Sequence, residues 1–140
     1  MQKYLDIVNK IHASPYKLTI VSSGGGTNAI SALLEVAGAS NTILESHIPY
    51  SKESMDTFLN KKPDHYCSLD TCLNMAANAY KKSKEVDSES KTKHLLGIAI
   101  TANLATTYEK KGDHKFFIVI QTYNYTKYLE CFLDKGKRTR

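Results

Sequence analysis

The residues best suited to hold a ligand lie in one stretch, Lys17 to Thr27, K-L-T-I-V-S-S-G-G-G-T. An apolar run, Leu18 to Val21, ends in Ser22, Ser23, Gly24, Gly25, Gly26 and Thr27, and an apolar helical pattern follows at Ile30, Leu33, Leu34 and Ala37. That order spells strand, glycine turn, helix. Glycine permits positive φ and lets a ligand come close to the backbone. The first turn of a helix leaves N–H groups unpaired and carries partial positive charge. Hydroxyls and free N–H groups in that setting suit an anion, most often phosphate. The same residues would serve equally well as a βα turn that caps its own helix, and the turn alone does not choose. A second hydroxyl-rich turn, T-A-N-L-A-T-T, spans Thr101 to Thr107.

Other site chemistry is sparse. Cys67, Cys72 and Cys131 form no Cys-x-x-Cys pair, which argues against a disulfide framework or a zinc site. They are expected to be free thiols, partly buried. His12, His47, His65, His94 and His114 are scattered without metal-ligand spacing. Neither a metal nor a resident cofactor is expected.

The elements that must position these turns follow from periodicity. A helix over Gln2 to Ala13, with Tyr4, Val8 and Ile11 on one stripe, ends at Ser14-Pro15. A strand covers Lys17 to Val21, and a helix runs from about Thr27 to Val36 and stops at Gly38. Alternation in N-T-I-L-E-S-H-I gives a strand ending before Pro49. Ser51 caps a short helix, and Ser68 caps a longer one with Leu69, Cys72, Leu73, Ala76, Ala79 and Tyr80 on one face. Lys84 to Lys93 lacks apolar periodicity and reads as a surface loop. His94 to Thr101 is a continuous apolar run, the mark of a buried central strand. Lys115 to Thr122 and Thr126 to Leu133 form a terminal hairpin about Tyr123-Asn124-Tyr125. Early βα units and a late hairpin predict an α/β fold, a three-layer α/β/α sandwich with a mixed central sheet. Ligands of open α/β sheets sit beyond the carboxyl ends of the strands. If the strands leading into Ser22 and Thr101 are parallel neighbours, both hydroxyl-rich turns open onto one crevice.

The bulk properties set bounds. The 140 residues fit one domain, and 41% hydrophobic with 24% charged residues is ordinary for a globular chain. No apolar run approaches membrane-spanning length. Asp6, Asn9 and Lys10 interrupt the amino-terminal apolar residues, so no signal peptide is read and a cytoplasmic location is expected. The net charge of +5, with the doublets Lys61-Lys62, Lys81-Lys82 and Lys110-Lys111, can attract phosphorylated ligands. No RNA- or DNA-binding signature is present, so nucleic acid is not expected as a partner.

The order V-S-S-G-G-G-T, G-A-S, P-Y-S-K-E-S, I-T-A-N-L-A-T and K-G-x-R resembles the C-terminal domain of the CinA (competence/damage-inducible) family over about Tyr4 to Arg140. Bacterial members hydrolyse the amide of nicotinamide mononucleotide to nicotinate mononucleotide and ammonia. The family's A-E-S-C-T-G-G aligns with Val21 to Thr27, with Ser23 on its serine and Gly26 on its first glycine. Its G-S-S, whose second serine is the nucleophile, aligns with Gly38-Ala39-Ser40. Its Y-S-N-x-x-K aligns with Tyr50 to Met55, keeping Tyr50 but placing Met55 where the activating lysine stands. Its T-G-I-A-G-P keeps Thr101, and the arginine of its late G-D-R corresponds to Arg138. The details P-Y-S-K-E-S, M-A-x-x-A-Y, L-A-T-T and G-D-H-K are closer to a divergent branch of eukaryotic CinA-like domains.

The resemblance implies a CinA-like domain over residues 1–140, without the helix that follows the arginine motif in the family. It implies a site for a pyridine mononucleotide or related nucleotide, with phosphate near Ser23, Gly24, Gly25 and Thr27. Ser40 and Tyr50 would then face the amide, and Thr101 would line the floor. A serine attacks poorly without a base, and methionine accepts no proton. The resemblance therefore leaves two readings. One is an amidohydrolase acting through an acyl-enzyme on Ser40 with Lys52, one helical turn before Met55, as its only local base. The other is a non-catalytic nucleotide-binding or assembly domain of a larger protein. Homo-oligomer formation is implied by the resemblance alone.

Overall fold

The computed structural model describes residues 2–103 and 114–133. The chain runs α1 (Gln2–Ala13), β1 (Lys17–Ser23), α2 (Thr27–Glu35), β2 (Ile43–His47), α3 (Lys52–Leu59), α4 (Leu69–Val86), β3 (Leu95–Asn103), β4 (His114–Gln121) and β5 (Thr126–Leu133). Single 3₁₀ turns at Ala39–Asn41 and Thr92–His94 lead into β2 and β3. The strands form one five-stranded sheet in the order β2-β1-β3-β4-β5. β1 pairs in parallel with both β2 and β3, and β4 and β5 add antiparallel. The sheet is thus mixed, as the sequence predicts. No described helix is long and apolar enough to cross a membrane.

Alternation along β1 sends side chains to two cores. Leu18 and Ile20 join Val8 of α1, Ile30 and Leu33 of α2, and Ile100 of β3. Val21 faces the other way and joins Met55 and Leu59 of α3, Cys72, Met75, Ala76 and Ala79 of α4, and Ala99, Phe117 and Val119 of the sheet. Helices therefore cover both faces, giving the three layers.

Two boundaries differ from the sequence reading. β1 continues through Ser22 and Ser23 because the parallel ladder holds them opposite Ile100 and Thr101. α4 continues to Val86, through residues whose polarity reads as a loop. The reason is Ser83, which is fully buried, donates to Leu96 O at 2.7 Å and lies 2.9 Å from Thr19 Oγ1. A serine with both needs met acts as a core residue and hides from any apolar count. The buried face of α4 is also rotated. Thr71, Met75 and Ser83 are buried with Cys72, Ala76 and Ala79, whereas Leu69, Leu73 and Tyr80 are only half-buried.

α4 lies against β3 at Gly97. A Cβ there would run into the main-chain N of Tyr80 and O of Ala76. Overpacking against backbone has no side chain to yield. Gly97→Ala is expected to destabilise the fold by about 3 kcal/mol or more. Urea denaturation checks this: a midpoint equal to that of the parent would contradict the packing described.

Candidate functional site

The β1 and β3 ends meet in register, with Ser23 opposite Thr101. Gly24 follows at φ 80°, and a Cβ on it would strike the carbonyl of Ala102. The glycine turn thus lies directly on the end of β3, a position open only to glycine. Beyond β2 the chain returns to the same place: Ser23 Oγ donates to Pro49 O at 3.2 Å. Ser51 Oγ then accepts the Ser54 N–H at 3.1 Å and starts α3. The loop before α4 closes the far side, where Thr101 Oγ1 donates to Tyr66 O at 3.3 Å.

These segments bound a cleft of about 400 Å³, lined by Ser23, Gly24, Tyr50, Ser51, Lys52, Met55, Tyr66, Cys67, Thr101, Ala102 and Asn103. The connection after β1 leads to α2 on one face, whereas that after β2 leads to α3 and α4 on the other. A crevice between connections that part in this way is the usual ligand site of an open α/β sheet.

Five of the sequence-derived residues, Ser23, Gly24, Tyr50, Lys52 and Thr101, come together here. The others do not. Ser22 points to the opposite face, fully buried, and its hydroxyl donates to the Gly25 carbonyl, closing the turn. Gly26 is the N-cap of α2 at φ 91° and supplies no capping side chain to the first turn that begins at Thr27. Arg138 lies outside the described residues, as do positions 104–107 of the second turn.

Ser40 is the main departure from expectation. It is exposed in the 3₁₀ turn before the amino end of β2, and Tyr50 and Lys52 lie beyond the carboxyl end. The five residues of β2 alone span about 16 Å. The turn is tied to the opposite end of β1 from Ser23, because Leu18 N donates to Thr42 O at 2.8 Å. Within one chain, Ser40 is not brought to Tyr50 or Lys52. Parallel pairing enforces this: a residue before a strand and a residue after it sit at opposite edges of the sheet.

Tyr66 and Cys67 were not singled out from sequence. They lie in a loop with no periodicity, so no signal marked them. Tyr66 OH donates to Asp56 Oδ1 at 2.8 Å, and Lys52 Nζ rests 5.7 Å from the centre of its ring. The bond to Asp56, then burial and the carboxylate charge, hold the phenol above its ordinary range, so it stays a neutral donor. Burial pushes the Cys72 thiol, next to the two strands behind the cleft, up to about 12. Among the described residues no group of three His, Cys, Asp or Glu could hold a metal ion.

No family model matches the sequence, and no curated protein sequence matches it. Solved structures do match in shape, and together with the cleft they define the class of fold. A CinA superfamily protein of Escherichia coli superposes with a TM-score of 0.72 at 14% identity, over 93% of this chain and 74% of that one. The competence/damage inducible protein CihA of Agrobacterium tumefaciens gives 0.69 at 17% identity, over 94% and 78%. A CinA superfamily protein of Klebsiella pneumoniae gives 0.69 at 14%, over 95% and 82%. The chain has the CinA-superfamily fold.

The cysteines provide a check on burial. Iodoacetamide at pH 8 is expected to label Cys67 and Cys131, which are half-buried, and to spare Cys72 until the chain is denatured. Because the Cys72 thiol is raised in the folded state, it favours folding below the ordinary thiol pKa of about 8.5. That contribution is lost as pH rises from there towards about 12. Peptide mass mapping reads the first effect, and denaturation across alkaline pH reads the second.

Proposed function

We propose that this chain is a divergent CinA-like domain whose cleft binds a pyridine mononucleotide without hydrolysing it. The observation that carries the reading is the convergence of the glycine turn, Tyr50, Lys52 and Thr101 in one cleft from which Ser40 is absent. The uncapped first turn of α2 next to this glycine turn offers N–H groups and partial positive charge to a phosphate. Lys52 adds a cation on a flexible stem. Ser23 and Thr101 each spend their hydroxyl proton on a carbonyl and keep lone pairs for ligand donors.

Amide hydrolysis needs more than binding. A nucleophile must lie within about 3 Å of its base. Met55 fills the position of the family's lysine and is buried at 1% exposure, while Lys52 stands at the other end of β2 from Ser40. A serine–lysine dyad is not assembled within the chain.

Nicotinamide mononucleotide is therefore expected to raise the denaturation midpoint, by about 2.7 kcal/mol at a hundredfold excess over Kd, and to release no ammonia. Lys52→Ala and Ser23→Ala are expected to weaken the shift. Ammonia release that disappears in Ser40→Ala would overturn the non-catalytic part. The absence of any shift with nicotinamide or nicotinate mononucleotide would overturn the ligand.

A further inference from the structure

We propose that Tyr66 is the ring-binding face of the cleft, and that it selects a cationic N-substituted pyridinium over a neutral ring of the same shape. This rests on the pyridine-mononucleotide reading above and names what that site discriminates.

Tyr66 is pinned at both ends. Its hydroxyl donates to Asp56 at 2.8 Å, and its main-chain carbonyl accepts from Thr101 at 3.3 Å. The neighbouring Cys67 thiol lies 3.9 Å from Lys115 O, and Ser68 caps α4. The ring is thus a fixed wall of the cleft. An aromatic face carries a negative quadrupole and attracts cations. A phenol that donates to a carboxylate gains electron density in its ring, so Asp56 strengthens that attraction and adds a negative charge nearby.

The ring already holds a cation. Lys52 Nζ sits 5.7 Å from its centre, on an exposed side chain in the first turn of α3. Lysine is flexible and strongly hydrated, so this contact is exchangeable. A pyridinium carries delocalised positive charge in a flat ring, which stacks where an ammonium only points. On binding, the pyridinium takes the face of Tyr66 and Lys52 turns to the phosphate of the same ligand. A reduced, neutral dihydropyridine offers the same shape without the charge.

The sequence contains no tryptophan, so Tyr66→Trp introduces a single fluorescent reporter. Oxidised nicotinamide mononucleotide is expected to quench the fluorescence of that variant on binding. By calorimetry, the parent protein should bind the reduced mononucleotide about tenfold more weakly than the oxidised form. Tyr66→Leu should lose about tenfold for the oxidised form and leave the reduced form unchanged. Equal affinity of Tyr66→Leu and the parent for the oxidised form would overturn the assignment while leaving the nucleotide reading intact. Failure of the parent to bind any mononucleotide would overturn both. Should Tyr66→Leu not fold, Lys52→Met decides with 1-methylnicotinamide, a pyridinium that lacks the phosphate. Removing the resident cation should tighten its binding about threefold or more, and unchanged or weaker binding would overturn the proposal.

Discussion

The placement of every residue in the cleft depends on how closely α4 lies on β3. Gly97 has no side chain, and the backbone of α4 at Ala76 and Tyr80 occupies the space. Small residues on the helix, Ala76 and Ala79, complete the approach, and Ser83 bonds the end of the helix to Leu96 and Thr19. With α4 fixed at that depth, its N-cap Ser68 and the residues before it are fixed as well. Tyr66 and Cys67 therefore arrive beside Thr101 because Gly97, four residues down the same strand, admits the helix. A packing constraint in the middle of the sheet sets the geometry at its edge.

Parallel strands then divide the molecule's chemistry by end. Everything that follows β1, β2 or β3 gathers at the carboxyl edge, and everything that precedes them gathers at the other. The cleft belongs to the first group. The turn that carries Ser40 belongs to the second, where His12 fixes it: the imidazole lies 2.7 Å from Thr42 Oγ1 and 3.0 Å from Leu33 O. With Nε2 donating to the carbonyl, Nδ1 accepts from the threonine, so a neutral ring joins α1, the end of α2 and the start of β2. Gly38, at φ 100°, lies against that ring. This corner is built as structure, with a satisfied histidine and a glycine that makes room for it.

The sequence disclosed elements well and faces less well. Strand and helix identities were legible because apolar runs, serine caps and glycine stops are local signals: Ser51 and Ser68 cap α3 and α4 as their positions imply. The mixed sheet followed from the order of elements. Illegible were the features that depend on partners distant in sequence. Ser83 reads as solvent-facing until Leu96 and Thr19 are placed beside it. Ser22 and Ser23 read alike, yet alternation along β1 buries one and gives the other to the cleft. Tyr66 carries no signal because its value lies in Asp56, Thr101 and Lys52, at sequence distances from ten to thirty-five residues.

Met55 shows how completely the site has left serine–lysine chemistry. It is buried at 1% exposure among Leu59, Cys72 and Met75, with one side on the cleft. A lysine there would have to hold its ammonium in an apolar pocket, which favours the neutral amine and would suit a base. Such a base would still stand a full strand length from Ser40, so restoring the lysine restores no nucleophile. Removing that charge leaves the apolar wall intact and leaves Lys52, one turn earlier, free to reach ligand or ring. Binding and catalysis make different demands on this cleft, and its residues meet those of binding.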